Sequence, residues 1–345
     1  MIDPIEKFIV RDELTLKRYR RFKRNRSAVI SVWIFMLMVF VSFTAEFWAN
    51  SAPHVIKYHG TLYFPLVKDY HPSLFGRNDI QVMDYRSLQM GPDDWAIWPI
   101  IQWDPYESNS YVDSYPAAPS KYNLFGTDDR GRDVLTRLLY GFRYTFIYAV
   151  GVWFLTYVIG CGAGALMGYL GGRVDLFGMR LIEVFESIPA FFILITVISI
   201  FNPNMILLVL FSVIFNWTYI SHYMRGQFLS LRKREYVEAA KAIGSSHWRV
   251  VMKHILPNAL TPIITLSPFA IAGNISGLSI LDYLGLGLRP PTPSWGELLA
   301  QAQSYFTTSE WLVWYPTLAL VLTMTLLINI NLAVRDAFDS KAAVG

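Results

Sequence analysis

The chain has 345 residues, 53% of them hydrophobic and only 16% charged, with a formal net charge of +4. Its mean hydropathy is +0.33. A water-soluble domain of this length keeps more charge on its surface. The apolar residues here also gather into runs able to cross about 30 Å of hydrocarbon, which takes roughly 20 residues per helix. The composition points away from a soluble domain and toward a membrane-embedded one. The single cysteine, Cys161, excludes an intrachain disulfide and a thiolate metal cluster.

In chain order, residues 1–27 form a basic N-terminus in which Lys17, Arg18, Arg20, Arg21, Lys23, Arg24 and Arg26 crowd before the first apolar run. Such a cluster suits a nucleic-acid or anionic-lipid patch, but beside a membrane span it serves to hold the N-terminus in the cytoplasm. The run Ala28–Phe47 is too long for a signal-peptide core and reads as a retained first helix, residues 28–48. Residues 49–143 hold no run long enough to span and fall outside the membrane. Further spans are expected at Tyr144–Tyr169, Ile182–Ile200, Met205–Tyr223, Pro262–Leu284 and Val313–Leu332, within a membrane domain of residues 144–333. Residues 334–345 then return to the cytoplasm. The distribution of cations agrees: residues 225–257 carry Arg225, Arg232, Lys233, Arg234, Lys241, Arg249 and Lys253, whereas residues 285–312 carry only Arg289.

Two features inside the spans bear on function. Gly160, Gly164 and Gly168 at four-residue spacing make a small-residue face for close helix packing, within the chain or against a partner. Ionisable residues avoid the span centres. Glu183 and Glu186 lie near one end of the third span, and Asp282, with Asn274 deeper, near the end of the fifth. An ion-coupled carrier needs switchable charges at the midplane, so the energy source is expected outside this chain.

The segment Glu235-Tyr236-Val237-Glu238-Ala239-Ala240-Lys241-Ala242-Ile243-Gly244 reads as a helix ended by a left-handed glycine. Ser245 or Ser246 then caps a second helix, which leads to Leu256-Pro257-Asn258. Val237, Ala240, Ile243 and Gly244 fall at helical spacing and give a shallow apolar face, and Ala239 and Ala240 allow close approach. A short helix of this kind suits insertion into a groove on a soluble partner; the alternative is an amphipathic helix lying on the membrane or on its own spans.

This segment resembles the "EAA" loop of ABC importer permeases, with Glu238, Ala239, Ala240, Gly244, Leu256 and Pro257 matching in type and spacing. His254 stands where the wider family has Ile. Gly126-Thr127-Asp128 through Gly131-Arg132-Asp133 to Arg137 and Tyr140-Gly141 is similar to the stretch before the second span of dipeptide and oligopeptide permeases. Tyr283-Leu284-Gly285 through Ser294-Trp295-Gly296 is similar to their loop after the fifth span. Residues 45–66, with Tyr58-His59-Gly60-Thr61, resemble the permease subgroup for microcin C-type peptides and oligopeptides.

The resemblance implies an all-α membrane protein of six transmembrane helices. Its fold would be that of type I ABC importer permeases, with both termini inside, in the bacterial inner membrane. It also implies that Glu238, Ala239, Ala240, Gly244, Leu256 and Pro257 couple to an ATPase. The partners it implies are a second permease subunit, two ABC ATPase domains, a periplasmic solute-binding protein, a peptide substrate and membrane lipid. No phosphate-binding GxxxxGK[ST] loop occurs in the sequence. ATP and Mg are therefore expected on the ATPase subunits, with no cofactor, metal or catalytic residue in this chain and no nucleic acid. The alternatives are a permease for nickel chelate, glutathione or another small solute, a secondary transporter or channel, and a non-transporting scaffold.

Overall fold

The computed structural model describes residues 13–338. It is mostly helical, with five helices long and apolar enough to cross a membrane, or up to six if one bent pair is a single span. The chain divides into two compact units. Unit 1 comprises Met1–Phe35, Ile147–Leu278 and Leu322–Gly345; unit 2 comprises Met36–Phe146 and Ser279–Val321. The first described residues form α1 (Glu13–Arg24), followed by the first span α2 (Arg26–Phe43) and the short α3 (Ala45–Trp48).

In unit 2 the segment after α3 contains structure the expected all-α fold lacks. Strands β1 (Val55–Tyr58), β2 (Thr61–Tyr63) and β3 (Trp95–Ile97) form an antiparallel sheet in the order β2-β1-β3. The β1–β2 hairpin turns through His59 and Gly60, both at positive φ (48° and 79°), with Tyr58 paired to Thr61. That is the two-residue turn whose twist matches its strands. Ile56, Phe75 and Tyr85 are buried together beneath Tyr58, Tyr63, Tyr70 and Trp98. The segment thus has a small apolar core of its own.

The second span belongs to α4 (Val134–Leu170), which starts inside the expected extramembrane insert because Asp133 caps it: its Oδ1 accepts the Thr136 N–H at 2.7 Å. The third expected span is broken. Helices α5 (Gly172–Ser187) and α6 (Ala190–Ile200) meet at a 68° bend. Pro189 lacks a donor and forces Ile188 into extended backbone, which ends α5. Then follow α7 (Met205–Leu231), capped by Asn204 on the Leu207 N–H, and the short α8 (Glu235–Ala242). Helix α9 runs His247–Tyr283 and is followed by α10 (Trp295–Tyr305). The last span, α11, runs Glu310–Phe338.

The glycine face is a seam within the chain. A Cβ on Gly160, Gly164 or Gly168 would lie 2.7 Å from Ile220, 2.4 Å from the Ser221 carbonyl oxygen or 2.6 Å from Phe228, all on α7. Ser221 donates to the Gly160 carbonyl at 3.1 Å across the same seam. Only glycine lets these backbones come so close.

Candidate functional site

Unit 1 carries the loop singled out in the sequence. Helix α8 ends as read: Gly244 sits at φ 83°, its N–H donating to the Lys241 carbonyl at 3.0 Å, and the Ser245 N–H donates to the Ala240 carbonyl at 3.1 Å. This pair of bonds is the Schellman closure. Ser246, rather than Ser245, then caps the next helix by accepting the Arg249 N–H at 3.4 Å. Helix α9 opens with one α turn, passes through a π-helical stretch, Val250–Ile255, and continues as α-helix from Leu256. Pro257 has no N–H to give the Lys253 carbonyl and its ring crowds that oxygen, so the widened turn before it relieves the conflict.

The helix faces differ from the sequence expectation. Val237 (0% exposed) and Ala240 point inward, against Met224, Phe228, Val250, Ile255, Ala259 and Ile263. Ile243 and Trp248, at 84% and 74% exposed, point outward with Glu238, Ala239 and Gly244. The apolar spacing therefore splits into an anchor and a presenting surface. Ala239 is free for close approach, and Ala240 is not. Leu256 packs at the margin of the buried cluster, and Pro257 is exposed at its edge. All six singled-out residues thus lie on one helix–turn–helix, with Glu238, Ala239 and Gly244 on its outer side.

Other groups fix this loop to the spans. Arg232 donates to the Gly168 and Tyr169 carbonyls at 3.0 and 3.1 Å, satisfying the end of α4. The Tyr169 hydroxyl meets His247 Nδ1 at 2.7 Å, and the Lys241 ammonium lies 5.6 Å from the Tyr169 ring. Arg225 grips the Asp175 carboxylate with two nitrogens, one at 2.7 Å. Glu186 is held by His222 at 3.1 Å and Glu183 by Arg180 at 2.5 Å, which favours structural roles for both acids.

The two motifs of unit 2 meet in a buried charge network. Asp128 Oδ1 accepts the N–H groups of Arg130 and Arg132 at 3.0 and 2.9 Å, and its Oδ2 accepts Arg132 Nε at 2.7 Å. Arg132 Nη2 reaches Glu297 Oε1 at 3.0 Å, and Arg137 Nη2 reaches Glu297 Oε2. Burial works against the charge on Arg132, but the Asp128 and Glu297 carboxylates outweigh it and raise its pKa above the ordinary value. Burial pushes the Asp133 carboxyl up, against hydrogen bonds from Thr136 and Asn123. Gly131 holds φ 79° where a Cβ would strike the Tyr115 ring at 2.3 Å. In the other motif, Ser294 caps α10 through the Gly296 and Glu297 N–H groups. Trp295 is buried against Phe142 and donates to the Leu138 carbonyl at 2.8 Å. Glu297, which joins the two motifs, escaped the sequence reading. Its one signal was an acid directly after Ser-Trp-Gly at the start of a helix.

Several long apolar helices, with a helix–turn–helix exposed between two of them, define a multi-span membrane protein. A family model described as the binding-protein-dependent transport system inner membrane component matches residues 160–344, and one described as the N-terminal TM domain of oligopeptide transport permease C matches residues 17–65. The chain belongs to this family of inner-membrane transport components; it is a multi-pass permease subunit of an ABC importer. It is similar to the inner membrane ABC transporter permease protein YejE of Escherichia coli K12, with 37% identity covering 95% of this chain and 97% of that one. The peptidoglycan transport system permease protein YejE of Agrobacterium fabrum is 34% identical over 95% of this chain and 93% of its own. The oligopeptide transport system permease protein OppC of Haemophilus influenzae is 36% identical over 65% of this chain and 73% of its own. Among solved structures, the inward-facing MetNI methionine ABC transporter matches 59% of this chain and 97% of its own at 17% identity, with a TM-score of 0.47. The 95% coverage by the first two relatives leaves too few residues aside to exclude the 49–143 segment.

Proposed function

We propose that this chain is one of two permease halves in an ATP-driven importer of peptides or peptide-like compounds. In this reading both termini and residues 225–257 face the cytoplasm. Residues 49–143 face the periplasm, where a solute-binding protein delivers substrate. Two ATPase domains, holding ATP and Mg, dock on the loop through Glu238, Ala239 and Gly244, with Leu256 and Pro257 setting its attachment to the span. The chain performs no covalent chemistry.

The observation that supports the coupling role is the exposed shoulder of Ala239, Ile243, Gly244 and Trp248 on a loop whose other side is buried. A small, apolar, outward helix fits a groove on a partner. Because Val237 and Ala240 pack on the same cluster as Val250, Ile255, Ala259 and Ile263, a pull on α8 passes into α9. ATP binding then shifts the balance between inward- and outward-facing states by its differential affinity for them.

The relatives named for oligopeptide and peptidoglycan transport support a substrate containing peptide bonds, and the microcin C-type peptides suggested by residues 45–66 belong to that class. The full-length likeness to a protein named for peptidoglycan transport favours a second reading within it, peptides released from peptidoglycan. Uptake assays with a labelled tripeptide, a microcin C-type peptide, a peptidoglycan-derived peptide, glutathione and nickel chelate separate these. Gly244→Asp strains a left-handed position and places a charge on the shoulder, so uptake should fall at least tenfold at normal membrane levels. Wild-type uptake by that variant would remove the coupling assignment. Uptake of nickel chelate alone would remove the substrate class, and uptake of glutathione alone would replace both peptide readings with that one small peptide.

A further inference from the structure

The segment between the first two spans contains a cavity of about 680 Å³, within the range of small-molecule sites. Trp103, Tyr111 and Tyr122 line its walls, with Ile100 and Leu124 also on the lining and largely exposed. The walls are fixed from behind. Trp103 Nε1 donates to the Tyr122 carbonyl at 2.9 Å, and the Arg86 guanidinium lies 4.1 Å from the Trp103 ring. Arg86 is itself tied down by Asp84, Glu107 and the Gln102 carbonyl, so its charge is already answered. Asp133, 1% exposed, also borders the cavity, with its oxygens taken by Asn123 and Thr136.

Lys121 is different. Its ammonium lies 4.9 Å from the Tyr122 ring and forms no ion pair with any described residue. A preformed aromatic cavity bordered by one cation without a carboxylate calls for a ligand that joins an apolar side chain to a negative charge. We propose that this cavity binds a short peptide through an apolar C-terminal side chain seated on Trp103, Tyr111 and Tyr122, with its terminal carboxylate on Lys121. A free peptide C-terminus carries those two groups on a single residue. The proposal deepens the peptide-import reading and rests on it. It adds a peptide site on this chain, apart from any on the binding protein.

The test uses the full chain in lipid nanodiscs, without ATPase or binding protein, titrated calorimetrically with the tripeptide Ala-Ala-Phe. Saturable binding is expected. Amidating the C-terminus should weaken it about fivefold, in the range of a partly exposed ion pair. Ala-Ala-Gly should bind at least tenfold more weakly for want of the buried ring. Lys121→Glu and Tyr122→Ala, both at exposed side chains, should each weaken Ala-Ala-Phe while leaving the melting temperature unchanged. No saturable binding, or equal affinity in wild type and both variants, overturns the proposal. So does protection of a Leu124→Cys thiol, on the cavity lining, by the binding protein and not by Ala-Ala-Phe, which would mark the cavity as a docking surface. Failure here with peptide uptake intact leaves the transport reading standing. A Lys121→Cys thiol labelled only from the cytoplasm removes both.

Discussion

Val237 and Ile243 lie six residues, about one and two-thirds turns, apart on one short segment and carry opposite burdens. Val237 is fully buried in the cluster around Phe228 and Ile255, whereas Ile243 is 84% exposed. Val237→Asp should therefore lower the amount of folded protein in the membrane, because a buried unpaired carboxylate costs several kcal/mol. Ile243→Asp should leave that amount unchanged and weaken ATPase co-purification and uptake. Quantitative membrane blots beside pull-downs check both; equal loss of protein in the two variants would merge the two faces into one. The sequence spacing made the apolar residues legible but not which of them faces out. Helical periodicity defines a stripe, and a two-turn helix can turn part of that stripe toward its own body.

At the scale of elements, the charge network joins the loop before α4 and the start of α4 itself to the first turn of α10. Arg132, Arg137 and Asp128 are all but fully buried, and Glu297 answers both guanidinium groups. Glu297→Ala should cost about 3–5 kcal/mol, because it leaves two buried guanidinium groups to share the single carboxylate of Asp128. A lowered melting temperature in detergent would check it, and an unchanged one would make the network incidental. The two motifs were recognisable by residue type, yet their meeting was not, since no spacing rule relates positions 160 residues apart. The broken third span was half legible. Pro189 marked the place, but the bend depends on Ile188 leaving the helix ahead of it. The β1–β2 hairpin was missed because His-Gly is a weaker turn signal than Asn-Gly.

At the scale of the whole chain, the seam between α4 and α7 was readable from Gly160, Gly164 and Gly168, although which helix lies against it was not. The orientation proposed from the cation distribution gives a direct test. In a Cys161→Ser background, a cysteine at Ser246 should react only with reagents that enter the cytoplasm, and one at exposed Ser114 with reagents confined outside. Reversed labelling would invert the molecule and with it the proposed coupling side.

The π-helical stretch Val250–Ile255 holds one more residue in its turn than an α-helix would. It acts as a phase adjuster: Val250, Ile255, Ala259 and Ile263 line up on one face only because the first interval is five residues and the later ones four. Removing Met252, which is 43% exposed, would let the stretch close into regular α-helix. The Val250–Ile255 interval would then be four residues, like the later ones, so the buried face and the bearing of Trp248 would both be kept. Such a variant should reach the membrane in normal amount and still bind ATPase. Loss of ATPase binding by the deletion variant would mean that the bearing of the loop depends on the extra residue.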